Sequence, residues 1–135
     1  MLVTDDEPSI RELWTRLLAG AGYGVNSASN AVDAARLLTE THTAVAICDV
    51  HLGGASGLWL AELIRHEHPC TAIVLATADA TLPPRETLRP AVVAYVVKPV
   101  TREDLLAAVE TGIAWSARQQ ARASRSWDDF GAEGN

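Results

Sequence analysis

Three carboxylates, a hydroxyl and an ammonium each stand where an apolar run of this chain stops. Leu2-Val3-Thr4 leads into Asp5 and Asp6, and Ala44-Val45-Ala46-Ile47-Cys48 leads into Asp49. Ala72-Ile73-Val74-Leu75-Ala76 leads into Thr77, and Val92-Val93-Ala94-Tyr95-Val96-Val97 into Lys98 and Pro99. Short continuous apolar runs are the signature of strands buried on both faces. Ligands of open α/β sheets gather beyond the carboxyl ends of such strands, so these residues converge on one site. Acids combined with a hydroxyl and an ammonium point to metal-assisted phosphoryl chemistry.

The segments between the runs must supply the helices that hold the strands. Pro8 fits a first helical turn, and Ile10, Leu13, Trp14, Leu17 and Ala21 follow at helical spacing until Gly20, Gly22 and Gly24 close the helix. Val25 to Ala28 reads as a short strand, and Asn30 with Asp33 starts a helix running to about Thr41. Gly53, Gly54 and Gly57 make a flexible turn, after which Leu58, Ala61 and Ile64 or Leu63 mark a helix ended by Pro69. Pro83, Pro84 and Pro90 confine a fourth helix to roughly residues 83 to 89. Thr101 with Asp104 begins a last helix carrying Leu105, Val109 and Ile113, continuous to about Ser124 with Gly112 as its weak point. Residues 131 to 135 read as a loose end. Five strands alternating with five helices imply a parallel sheet covered on both faces.

The length of 135 residues suits one domain with a short extension. A net charge of −6 and scattered basic residues argue against direct nucleic-acid binding. Arg118, Arg122 and Arg125 read as a solvated helix face. Cys48 and Cys70 have no CxxC spacing and read as reduced, buried thiols, giving a cytoplasmic expectation. No stretch is apolar enough to cross a bilayer, and no signal-peptide core is visible. His66 and His68, two apart on a helix, point to different faces and make a poor metal pair. Trp14 and Trp59 read as packing residues, with an interaction role open for Trp59.

Val3-Thr4-Asp5-Asp6-Glu7-Pro8, Cys48-Asp49-Val50-His51-Leu52 with Ser56-Gly57-Leu58, Ala76-Thr77-Ala78, and Tyr95-Val96-Val97-Lys98-Pro99 together resemble the receiver domain of two-component response regulators. The resemblance covers residues 1 to about 117, leaving 118–135 as a helical extension or linker with a loose tail. It implies a doubly wound, flavodoxin-like (βα)5 fold of class α/β, with a five-stranded parallel sheet in the order 2-1-3-4-5. By resemblance Asp49 is the phosphoacceptor, with Mg2+ bound directly by Asp6 and Asp49, through water by Asp5, and by the backbone carbonyl of His51. The resemblance also gives Thr77 and Tyr95 switch roles, makes the Lys98–Pro99 bond cis, and puts phosphoryl-lifetime tuning at His51 and Asp79.

The chemistry of the residues agrees. A carboxylate nucleophile needs mainly positioning and charge neutralisation. Mg2+ prefers oxygen ligands, and Lys98, the only lysine in the chain, offers a compact point charge. The implied partners are a histidine kinase or histidine phosphotransfer protein and a downstream effector, with no membrane contact; a homodimer stays open. Departures from the family pattern touch output: Gly53 in place of proline, a proline-rich fourth helix, Val100 in place of phenylalanine. Val93 and Ala94 stand at positions often acidic in receivers that dimerise through the fourth helix, fifth strand and fifth helix. The chain is expected to catalyse nothing beyond its own aspartyl phosphorylation and dephosphorylation. One rival is a phosphorylation-independent interaction module. The other is an aspartate-nucleophile phosphatase, which would carry a second acid where His51 stands.

Overall fold

A computed structural model of the chain describes residues 1–52, 56–78 and 91–133, with side chains to residue 125. Each of the four apolar runs is a strand, β1 (Leu2–Thr4), β3 (Val45–Asp49), β4 (Ala72–Thr77) and β5 (Val92–Val97), and a more polar segment supplies β2 (Asn26–Ala28). All pair in parallel in one sheet of order β2-β1-β3-β4-β5. The helices among the described residues are α1 (Pro8–Gly20), α2 (Ala31–Glu40), α3 (Gly57–Glu67) and α4 (Arg102–Glu133). The helix expected at 83–89, with its three prolines, and the turn residues Gly53 and Gly54 lie outside the described residues.

Strand residues point alternately to opposite faces, and here both faces are apolar. Ala46, Cys48, Ile73 and Leu75 pack with Ala34 and Leu38 of α2 and Leu60 and Ile64 of α3. Their neighbours Val45, Ile47, Val74 and Ala76 pack with Trp14 and Leu18 of α1 and Leu105 and Val109 of α4. Every residue of β3 and β4 is buried, which explains their unbroken apolar runs. The edge strand β5 is only half-buried.

Local hydrogen bonds set the helix starts. Asn30 Oδ1 accepts from the Asp33 N–H at 2.8 Å and Thr101 Oγ1 from the Asp104 N–H at 3.0 Å. Ser56 Oγ accepts from the Trp59 N–H at 3.1 Å, so α3 begins at Gly57. Gly57 is therefore the buried first residue of a helix, not part of a flexible turn. Strand β2 is one residue shorter than expected, because Val25 packs against the core without joining the ladder.

Helix α4 continues to Glu133, past both Ser124 and Gly131. Residues 117–125, rich in alanine, arginine and glutamine, favour helix by intrinsic propensity. The Ser116 hydroxyl donates to the Cys70 carbonyl at 2.6 Å, and Gln120 meets His42 at 3.0 Å. Beyond these contacts residues 121–125, including Arg122 and Arg125, are exposed.

Gly112, read from sequence as a weak point, lies tight against the sheet. A β-carbon there would stand 2.9 Å and 3.1 Å from the methyls of Val45 and 3.3 Å from Ala72. Val45 is stiff and fully buried, so it cannot yield cheaply. Gly112→Ala should gain about 1 kcal/mol of helix propensity yet lose more to overpacking, about 1–3 kcal/mol. The expected outcome is a lower urea midpoint; a raised one would mean that α4 is free to move off β3.

Candidate functional site

Strand register brings the acids together. Thr4 pairs with Cys48, which sets Asp5 level with Asp49, and Asp49 pairs with Ala76. Backbone bonding continues past the strand ends: the Val50 N–H donates to the Ala76 carbonyl at 2.8 Å and the Lys98 N–H to the Thr77 carbonyl at 2.7 Å. Four strand ends are thereby tied into one rim.

Asp5 and Asp49 are buried, whereas Asp6 is exposed. Each buried carboxylate is held in the same way. Asp5 Oδ1 accepts from the Glu7 N–H at 2.9 Å, and Asp49 Oδ1 from the His51 N–H at 3.1 Å. Their second oxygens share one ammonium, with Lys98 Nζ donating to Asp5 Oδ2 at 2.7 Å and to Asp49 Oδ2 at 3.1 Å. Burial alone would depress the Lys98 pKa, but hydrogen bonds to both carboxylates and their charge raise it above the ordinary lysine value. The ammonium therefore stays charged at neutral pH.

One oxygen each from Asp5, Asp6 and Asp49 lies within 4.8 Å of the others, the only group of three or more metal-ligating side chains so placed among the described residues. An all-oxygen donor set of three carboxylates, one of them open to solvent, fits a hard divalent cation that keeps several waters. His66, by contrast, pairs with Glu62 on the helix surface.

The remaining candidates surround this centre. Thr77 ends β4, fully buried, one residue beyond the partner of Asp49. Lys98–Pro99 is a cis peptide. Tyr95 on β5, paired with Leu75 of β4, packs half-buried against the α2 and α3 side of the core. The His51 side chain is exposed while its N–H reaches Asp49. Asp79 lies outside the described residues.

Three contributors were not visible in the pattern. Arg11 Nη1 donates to the Asp5 carbonyl at 2.8 Å, pinning the end of β1 to α1. Its place in the first turn of a helix that starts beside the acids was the available signal. Trp14, assigned to packing, does pack, but its ring centroid also lies 5.6 Å from Lys98 Nζ. Gly57 stands where any β-carbon would collide with the Asp49 carbonyl oxygen and come within 2.8 Å of its carbon. The Gly57 N–H also donates to the Val50 carbonyl at 3.1 Å, so α3 starts directly against the backbone of Asp49.

Of the two thiols expected to be buried, Cys70 is only partly so, whereas Cys48, beside Asp49, is wholly buried, and its pKa is pushed up to about 12 by burial and then by the charge of Asp49. A thiol with a raised pKa holds almost no thiolate at pH 8. Iodoacetamide at that pH should leave Cys48 unmodified until the protein unfolds; labelling of the folded protein at Cys48 would contradict the burial. Gly57→Ala should destabilise by about 2 kcal/mol or more, because the obstacle is backbone and cannot rotate away. Ser56→Ala, which removes only a helix cap, should cost about 1 kcal/mol. Equal urea midpoints for the two variants would contradict the close approach.

The family model described as response regulator receiver domain matches residues 1–110. Over 119 residues the chain is 29% identical to the DNA-binding transcriptional regulator NtrC of Escherichia coli, covering 87% of this chain and 25% of that protein. It is 32% identical to the response regulator protein PilR of Pseudomonas aeruginosa, covering 83% of this chain and 25% of PilR. The chain thus spans about a quarter of the length of these relatives. Among solved structures it is similar to response regulator protein TrrA from Thermotoga maritima in complex with Mg2+-BeF. That likeness has 32% identity and a TM-score of 0.75, covering 82% of this chain and 96% of that one. A CheY-like receiver domain protein from Methanospirillum hungatei shares the fold with a TM-score of 0.80 at 24% identity, covering 87% of this chain and 95% of that one.

Proposed function

This chain belongs to the response regulator receiver domain family, and we propose that it accepts a phosphoryl group on Asp49 and thereby switches a protein-interaction surface. The donor is a phosphohistidine on a histidine kinase or histidine phosphotransfer protein. The observation that carries this reading is one ammonium between two buried carboxylates, with a third acid at the solvent side.

In the transfer, a carboxylate oxygen of Asp49 forms the new P–O bond as the P–N bond to the donor imidazole breaks, and the departing imidazole takes up a proton. Such a loose transition state asks the protein for alignment and charge neutralisation rather than covalent help. Asp5, Asp6 and Asp49, with the His51 backbone carbonyl, would hold Mg2+, which supplies positive charge to the crowded oxygens when bound. The hydrogen bond from the His51 N–H keeps the Asp49 carboxylate from rotating freely. Lys98, already at Asp49, meets a phosphoryl oxygen, and the Thr77 hydroxyl donates to another. Movement of Thr77 toward the phosphoryl group makes room for Tyr95, and that pair forms the switch. Charge-assisted hydrogen bonds of this kind are about twice as strong as neutral ones. They bias the two-state equilibrium only insofar as they differ between its states.

Residues 1–117 constitute the receiver, and 118–135 link it to an effector. The greater length of NtrC and PilR beyond the matched part supports an effector in the same polypeptide or in a partner. Negative net charge speaks against direct nucleic-acid contact by the receiver itself. The setting is cytoplasmic, and a homodimer is compatible with it. A constitutive, phosphorylation-independent module is not favoured, since it would have no use for this acid and ammonium cluster. Catalysis is confined to the domain's own aspartyl phosphate, as His51 replaces the second acid that a phosphatase would carry.

The test is to incubate the protein and Asp49→Asn with a small phosphodonor, with and without Mg2+, and weigh the intact chains. One Mg2+-dependent phosphoryl adduct, absent in the variant, is expected. No adduct from the small donor or from a phosphorylated histidine phosphotransfer protein would contradict the reading. Substituting His51 or Asp79 should change the decay rate of the adduct without preventing its formation; unaltered decay in both variants would remove their tuning role.

A further inference from the structure

Among the described residues Lys98 has three attractive neighbours, of which two are acids. Asp5 and Asp49 hold the ammonium at 2.7 Å and 3.1 Å. The third is the ring of Trp14, whose centroid lies 5.6 Å from Nζ, within the range of a cation–π contact. Trp14 is 2% exposed and locked in the cluster containing Val3, Leu18, Ala76 and Leu105, so the ring cannot drift. Packing alone asks only for an apolar side chain at this helix position. An indole face adds the electron-rich surface that a cation prefers over any other aromatic.

The consequence lies in a competition for the same oxygens. Asp5 and Asp49 belong both to the Lys98 ion pairs and to the three-acid cluster suited to a divalent cation. Positive charge placed among those acids weakens both ion pairs and repels the ammonium. Lysine is a compact charge on a flexible four-carbon stem, so an ammonium released from its acids would sample many rotamers. The Trp14 ring is the one of the three neighbours that a hard cation does not claim.

We propose that Trp14 is a positioning residue whose indole face retains the Lys98 ammonium beside Asp49 when a divalent cation takes over Asp5 and Asp49. This inference rests on the reading of Asp49 as phosphoacceptor. Its benefit to transfer is entropic: the lysine is in place before a phosphoryl oxygen arrives.

Two measurements test it. In 15N-labelled protein the indole N–H resonance of Trp14, identified by its loss in Trp14→Phe, is followed through a Mg2+ titration in the native protein and in Lys98→Met. Retention of the ammonium predicts that the two proteins still differ at this resonance when saturated with Mg2+. Convergence on saturation would mean that the lysine leaves the ring, overturning the proposal. The second measurement is the phosphorylation rate from a small donor at saturating Mg2+. Trp14→Leu should slow it by about threefold to thirtyfold, the span from an exposed to a desolvated cation–π contact, with Trp14→Phe retaining most of the rate. In the Lys98→Met background the Leu substitution should have no further effect. The same slowing with and without the ammonium would assign Trp14 to packing only. If the native protein takes no phosphoryl group, the reading of Asp49 fails, and the resonance comparison alone decides whether the ring retains the lysine.

Discussion

The ammonium of Lys98 between the carboxylates of Asp5 and Asp49 is the interaction on which the rest of the structure depends. Two buried carboxylates side by side repel each other and are costly to desolvate, more so with Asp6 a few ångströms away. Removing the partner of a buried charge typically costs about 3–5 kcal/mol, so the lysine is as structural as any core residue. The strand order puts β1 and β3 side by side and β5 one strand beyond β4, letting a single long side chain from the edge strand reach both acids.

Both faces of the sheet support this cluster. On the α1 side Arg11 ties down the Asp5 carbonyl and Trp14 lies near the ammonium. On the α3 side the bare Cα of Gly57 lets the helix start against the backbone of Asp49. A change in charge at the site is therefore felt by helices of both layers. Tyr95 belongs to the α2 and α3 side, while its strand neighbours Ala94 and Val96 pack on the α1 and α4 side. Strand β5 thus divides its contacts between the two layers just before it delivers Lys98.

Sequence revealed the strands and the acids because unbroken apolar runs and their polar terminal residues carry the same information at four places. The helix starts at Asn30 and Thr101 were equally legible, since capping depends on residues three positions apart. What escaped depends on contacts between distant segments. Gly57 and Gly112 looked like points of looseness, yet each is small because a backbone or a buried valine from β3 comes too close for a β-carbon. Trp14 satisfied the helical repeat so well that its second neighbour, 84 positions along the chain, left no trace in the pattern. The reach of α4 was underestimated at its end, where Gly131 and its neighbours read as a loose end although the helix runs on to Glu133.

If charge crowding is the governing constraint, relieving it without touching the lysine should separate stability from metal binding. Asp6 is the acid to change, being exposed and outside the Lys98 pairs. The decisive measurement is the urea midpoint of the native protein and of Asp6→Asn, each in metal-free buffer and in a series of Mg2+ concentrations. A higher metal-free midpoint for the variant, together with a smaller rise on adding Mg2+, is the predicted result. A variant less stable without metal, or one that Mg2+ stabilises as much as the native protein, would contradict the account.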